Sequence, residues 1–194
     1  MIVDKEALRA NFRRQIEAVS VETKENQSRQ ICQRLENYLN SQKGVWTLFS
    51  PLNDEPNLLS LIKSCTHLQW VFPRVESKTK MSFFKVSCMD EMVSSSWGLS
   101  EPPADKDCMV LSENIDGCIL PGMAFDIFGN RLGRGGGFYD RFLENFKGLR
   151  LGVTFQQALT EKRLPSESHD QKMDIVISPE NWIEVDRSEV KNGI

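Results

Sequence analysis

Apolar side chains at Leu8, Phe12, Ile16 and Val19 recur every three or four positions in a segment otherwise rich in charge, which is the spacing of one buried stripe on a helix. Asp4 stands just ahead of the stripe, where a side-chain oxygen can cap the free N–H groups of a first turn. A second helix is expected from about Glu22 to Leu39, with Ile31, Leu35, Tyr38 and Leu39 on its buried face and Ser20 as its cap. The period then changes. VWTLF (45–49), LQWVF (68–72), MSFFKV (81–86), DGCILP (116–121), LRLGVTF (149–155) and DIVIS (174–178) are short runs rich in β-branched and aromatic residues, bounded by turn formers, and read as strands. Pro73 is expected to close the second of them. SPLNDEPN (50–57) reads as a turn, with Asp54 and Pro56 opening a helix through Leu58, Leu59, Leu61 and Ile62. SSSWGLSEPPADKD (94–107) and KRLPSESHD (162–170) read as loops, and Tyr139, Phe142, Leu143 and Phe146 mark one more helix face. Strands alternating with helices predict an α/β fold, a single-domain three-layer sandwich over 1–194 with a largely parallel central sheet and Rossmann-like topology.

Composition supports a folded domain and narrows its partners. The 194 residues are 40% hydrophobic and 26% charged, near the globular average. The formal net charge is only -3, which argues against nucleic-acid or anionic-membrane binding driven by global charge and leaves a local basic site open. No run approaches the eighteen or so apolar residues of a membrane-spanning helix, and MIVDKEALRANFRR lacks the apolar core of a secretory signal. The five cysteines, Cys32, Cys65, Cys88, Cys108 and Cys118, are scattered without CxxC pairs, so free thiols in a reducing cytoplasm are expected and no zinc site.

One stretch concentrates unusual chemistry. RLGRGGGFYD (131–140) places two arginines and four glycines in seven residues, between an apolar strand and an amphipathic helix. Glycines let backbone N–H groups approach a ligand, the following helix start adds free N–H groups, and Arg131 and Arg134 can fork onto phosphate oxygens. The GK[ST] ending of a Walker loop and the GxGxxG spacing of a dinucleotide fingerprint are both absent. An anion site, a flexible surface loop and an RGG-like RNA contact remain open on these ten residues. The single copy and its ordered flanks weigh against the last.

LPGMAFDIFGNRLGRGGGFYDRFL (120–143) resembles the signature of the 5-formyltetrahydrofolate cyclo-ligase family, close to PGxAFDxxGxRLGxGxGYYDxxL, with Phe138 where tyrosine is common. KEALR (5–9), NDEPN (53–57), FPRV (72–75), WGLSEP (97–102) and LPSESHDQKMD (164–174) also resemble family segments, so the likeness runs nearly end to end. It departs at NDEPNL, where the family often has a threonine.

The resemblance implies ATP- and magnesium-dependent closure of 5-formyltetrahydrofolate to 5,10-methenyltetrahydrofolate, with release of ADP and phosphate. It assigns Arg134 and Lys5 to catalysis. For the nucleotide it implies Lys5, Glu6, Ala7, Leu8 and Arg9 on the first helix, and Arg131, Leu132, Gly133, Arg134, Gly135, Gly136, Gly137, Phe138 and Tyr139 on the loop. For the folate, which can carry a polyglutamate tail, it implies Ser50, Glu55, Arg134, Gly135, Gly136, Gly137 and Phe138. For magnesium it implies Asp140 and Asp170. Lys5 and Arg9, at i and i+4, share one helical face, which in isolation is more often a solvated charged surface. Without the family, Asp140 reads as a carboxylate at a helix start, Asp170 as a turn cap and Glu55 as an exposed first-turn residue. A carboxylate at Glu55 suits a pterin because it accepts two parallel N–H bonds. His169 stays outside the catalytic set, and Trp97 and Phe84 read as core. A cytoplasmic enzyme with a small-molecule substrate is expected, with no nucleic-acid or membrane partner and a monomer as the default.

Overall fold

A computed structural model describes residues 4–95 and 99–186, so Trp97 lies outside the described residues. The two N-terminal helices form where their caps are. In α1 (Lys5–Glu17) the Asp4 carboxylate accepts the Glu6 N–H at 2.9 Å, and in α2 (Val21–Leu39) the Ser20 hydroxyl accepts that of Thr23 at 3.2 Å. Phe12 and Ile16 are buried on α1, and Ile31, Leu35 and Leu39 on α2, with Tyr38 half-buried beside them. Val19 falls just past the end of α1.

Eight strands form the main sheet: β1 (Val45–Thr47), β2 (Gln69–Val75), β3 (Met81–Lys85), β4 (Met109–Val110), β5 (Gly117–Pro121), β6 (Leu149–Val153), β7 (Ile175–Ile177) and β8 (Trp182–Glu184). Their order across the sheet is β8-β7-β6-β5-β1-β2-β3-β4. The five from β7 to β2 are parallel, and antiparallel strands flank them on both edges. Side chains alternate between the two faces, as the strand period requires. Trp46, Ile119, Leu151, Val153, Ile175 and Ile177 pack under α2 and the single-turn α3 (Leu61–Ser64). Cys118, Leu120, Val71 and Val176 pack on the opposite side with Leu143 of α4 (Phe138–Leu143) and with Phe125. Phe125 belongs to a second, small sheet of Ala124–Asp126, Arg131–Leu132 and Leu159–Thr160, onto which α1 docks through Phe12 and Ile16. The result is the expected three layers around a largely parallel sheet. No helix among the described residues is long and apolar enough to cross a membrane.

Several local expectations give way to tertiary bonding. Pro73 does not end β2, which runs on to Val75. The Trp70 carbonyl accepts from Val86 beyond β3 and the Val71 carbonyl from Leu48 beyond β1, so alternation turns the Pro73 nitrogen toward β1, past the last residue that β1 pairs. No ladder bond is lost there. The helix expected from Asp54 shrinks to Leu61–Ser64, because the N–H groups ahead of it are taken otherwise: Glu55 by the Leu52 carbonyl, Asn57 by the Ser28 hydroxyl, Leu59 by the Asn57 side chain. The segment expected as a loop at 94–107 contributes to a small antiparallel ribbon, Val93–Ser94 with Ser100–Glu101. β8 was not anticipated: its three residues have no fully buried side chain. The glycine loop follows the hairpin Ala124–Asp126/Arg131–Leu132 rather than β5 directly, so Arg131 and Leu132 are strand residues.

After β1 the chain moves outward through β2 and β3, then returns as β5 on the other side of β1. Connections from β1 and β5 therefore leave in opposite directions at their carboxyl ends. A crevice at such a switch point is where open α/β sheets hold ligands.

Candidate active site

The segment at 124–132 is scaffold. The fully buried Asp126 carboxylate accepts the backbone N–H groups of Phe128, Asn130 and Leu164 and the Asn130 amide, at 2.7–2.9 Å, which locks the hairpin turn. The hairpin delivers the glycine loop over the carboxyl ends of β1 and β5. Gly135 (φ +99°) and Gly137 (φ +64°) adopt the left-handed region that other residues resist, which bends the loop around the crevice and into α4.

A cavity of about 310 Å³ results. Phe49, Ser50, Leu52 and Glu55 line it after β1, Pro73 and Val75 from β2, Met81 from β3, Glu101 from the ribbon, and Pro121 and Gly122 at the end of β5. Arg131, Gly133, Arg134, Gly136, Gly137, Phe138, Tyr139 and Asp140 close it. The β1 loop and the glycine loop are joined by ions: Arg134 donates from Nε to Glu55 Oε1 at 3.0 Å and from Nη2 to the Asp54 carboxylate. Glu55 Oε2 accepts the Leu52 N–H at 3.0 Å. Burial pushes the Glu55 carboxyl above its ordinary value, with Arg134 and the Leu52 N–H only partly opposing it. Burial also disfavours the charge on Arg134, but the bonds and charges of Asp54 and Glu55 outweigh it and raise its pKa.

The sequence points Arg131 at phosphate and Asp140 at magnesium, and the fold places them against each other. The Arg131 side chain is only 5% exposed, and its Nη2 donates to both Asp140 oxygens at 2.9 Å. Its guanidinium lies 5.4 Å from the centre of the Tyr139 ring. Arg9 reaches the loop from outside, with Nε donating to the Gly133 carbonyl at 2.7 Å. Lys5, one turn earlier on the same face, goes instead to Asp170 at 2.6 Å and Glu167 at 2.8 Å. The shared helical face is real, yet the two cations serve different segments. Glu6 and Ala7 are exposed, Leu132 is core and Leu8 packs against that core; none of these, nor Lys5, Arg9, Gly135 or Asp170, lines the cavity. His169 is exposed.

Burial opposes the charge on Lys5, but Asp170 and Glu167 raise its pKa; burial likewise opposes the charge on Asp170, but Lys5 and the Glu167 N–H lower its pKa. A lowered carboxylate pKa adds stability that is present above its unfolded value and lost as pH falls through the folded one. Asp170→Asn should therefore be less stable than the parent protein at pH 7, by about 1 kcal/mol or less for so accessible a pair, and unfold at a lower temperature. The gap should close toward pH 3, and a thermal unfolding series across pH checks it.

Among the described residues no three His, Cys, Asp or Glu side chains gather as a metal site. A magnesium ion that arrives with a polyphosphate needs only one or two protein carboxylates. Asp140, on the cavity wall beside the glycine loop, fits that demand; Asp170 is held by Lys5 outside the cavity lining. Sequence reasoning reads Asp54 only as a helix start and gives Glu101, within WGLSEP, no role of its own. It also missed Arg141, which ties the loop to the β2–β3 turn by donating to the Gly136 and Thr79 carbonyls.

A model of the 5-formyltetrahydrofolate cyclo-ligase family matches residues 1–179. The mitochondrial 5-formyltetrahydrofolate cyclo-ligase of Arabidopsis thaliana is 30% identical over 93% of this chain and 76% of its own length. The 5-formyltetrahydrofolate cyclo-ligase of Mus musculus is 26% identical over 89% and 92%. The solved structure of 5,10-methenyltetrahydrofolate synthetase from Aquifex aeolicus superposes with a TM-score of 0.79 at 28% identity, covering 98% of this chain and 94% of the other. With the signature at 120–143 now folded around a cavity at the sheet's switch point, the chain belongs to the 5-formyltetrahydrofolate cyclo-ligase family.

Proposed function

We propose that this protein, as one catalytic domain, closes 5-formyltetrahydrofolate to 5,10-methenyltetrahydrofolate at the expense of ATP, with magnesium, releasing ADP and phosphate. The observation that carries the reading is the joining of Glu55 to Arg134 across the cavity, which sets the β1 loop beside the glycine loop at one crevice. The chemistry needs that adjacency. An N5-formyl group is an amide, with a weakly electrophilic carbon and a poor leaving oxygen. Transfer of the γ-phosphoryl group to that oxygen remedies both, after which N10 attacks the carbon and phosphate leaves with the oxygen. The N10 proton passes to water or phosphate.

The protein's part is positioning and neutralisation of charge. Backbone N–H groups from Gly133 to Tyr139 are offered to the polyphosphate. Arg134 uses Nε and Nη2 on the two carboxylates, leaving Nη1 for a phosphate oxygen. Arg9 braces the loop from outside, and Arg131 holds Asp140 in place for magnesium, which would neutralise phosphate charge. Ser50, Glu55 and Phe138, on the cavity wall, are the residues assigned to the folate. The test is incubation with ATP, magnesium and 5-formyltetrahydrofolate while the near-ultraviolet absorbance of the methenyl product is followed. Growth of that absorbance only when ATP and magnesium are both present is expected; folded protein that produces none overturns the reading.

A further inference from the structure

Three carboxylates line the cavity, and two have their oxygens engaged. Glu55 Oε1 accepts from Arg134 and Oε2 from the Leu52 N–H; both oxygens of Asp140 accept from Arg131. Glu101 differs. It is 3% exposed, its Oε1 accepts the Val75 N–H at 3.1 Å, and its Oε2, shut off from solvent, has no partner among the described residues. A buried carboxylate oxygen without a donor is costly, and such exceptions call for a ligand or a role.

The strand register explains why the residue is there. β2 outruns β1 beyond Thr47, so the Val75 N–H on that side has no strand to meet, and the ribbon Ser100–Glu101 brings a carboxylate to it. One oxygen is spent on the backbone; the other belongs to a side chain on the cavity wall. The terminal torsion of a glutamate is soft, so a limited rotation that tilts Oε2 toward the cavity can be made while Oε1 keeps the Val75 N–H.

We infer that Glu101 is a substrate-binding, specificity-determining residue whose Oε2 accepts an N–H from the 2-amino group of the substrate's 2-amino-4-oxo ring. This assignment rests on the folate reading above. It moves the recognition of that group away from Glu55, which the sequence favoured, because Glu55 already serves Arg134 and Leu52. A ring lacking the donor would leave Glu101 unpaired in a dry wall, which is how a polar site rejects an analogue.

The test compares 5-formyltetrahydrofolate with an analogue in which hydrogen replaces the 2-amino group, using the intact enzyme with ATP and magnesium. The parent protein should lose about tenfold to a hundredfold in kcat/KM on the analogue, the range for a hydrogen bond to a charged group. Glu101→Gln keeps an acceptor for Val75 but turns a donor toward the ring. It should raise the folate KM by about tenfold or more, leave the KM for ATP within about twofold and discriminate the analogue far less than the parent does. A general structural defect would lower activity on both folates equally and would not remove that discrimination. If the parent treats both folates alike, the assignment falls whether or not the variant folds. Equal discrimination by parent and variant also overturns it. A parent protein inactive on 5-formyltetrahydrofolate itself refutes the folate reading as a whole, which separates the two failures.

Discussion

Asp140→Asn should lower the turnover number by at least about a hundredfold, equivalent to roughly 2.7 kcal/mol of transition-state stabilisation. The carboxylate stands on the cavity wall at the start of α4, beside the loop offered to the polyphosphate. A cation held there matters most while charge spreads over the transferred oxygens. The fold adds a second expected effect, because Asp140 is also the carboxylate partner of an arginine only 5% exposed. Asparagine keeps one acceptor for Arg131 Nη2, so a stability loss of about 1–3 kcal/mol is expected. Asp140→Ala leaves the buried charge with nothing and should cost about 3–5 kcal/mol. Turnover across a magnesium titration, well below each variant's unfolding temperature, separates the two contributions. Partial recovery of Asp140→Asn at high magnesium is expected. A variant that melts early yet turns over normally would sink the metal role and leave only the strut.

Arg134→Ala should reduce kcat/KM for ATP by about tenfold to a hundredfold, the loss of one charge-assisted phosphate contact. It also strands Asp54 and the buried Glu55 side by side without their cation. Burial already pushes the Glu55 carboxyl up, and Arg134 is the charge that pulls it back, so the variant's Glu55 should titrate higher still. An acid whose folded pKa is raised favours the fold below its unfolded value, and that contribution disappears as pH rises through the folded pKa. Arg134→Ala should therefore be much less stable than the parent at pH 8 and close to it near pH 5. Unfolding temperatures at the two pH values decide this: a constant deficit, or a larger one in acid, would mean that Glu55 is not the group left exposed to the loss.

By itself the sequence determined what neighbours along the chain decide. Asp4 and Ser20 cap the helices that follow them because a cap acts over two or three residues. The apolar stripes of α1 and α2 and the runs that became β1 to β3 and β5 to β7 were legible because period reports which face is buried. Phosphate chemistry was readable at 131–140 because glycine and arginine carry it locally. Tertiary structure decided everything that depends on which distant segment arrives. Pro73 is tolerated because β1 stops short of it, and the helix expected from Asp54 is reduced to one turn because the Leu52 carbonyl, Ser28 and Asn57 claim its N–H groups. The same holds in the site. Lys5 meets Asp170 across 165 residues and Arg134 meets Glu55 across 79, so the carboxylates that neutralise the cations cannot be found by spacing. Glu101 was unreadable for the same reason: its meaning lies in an oxygen left over after the strand register has used the other, and register exists only once the sheet has formed.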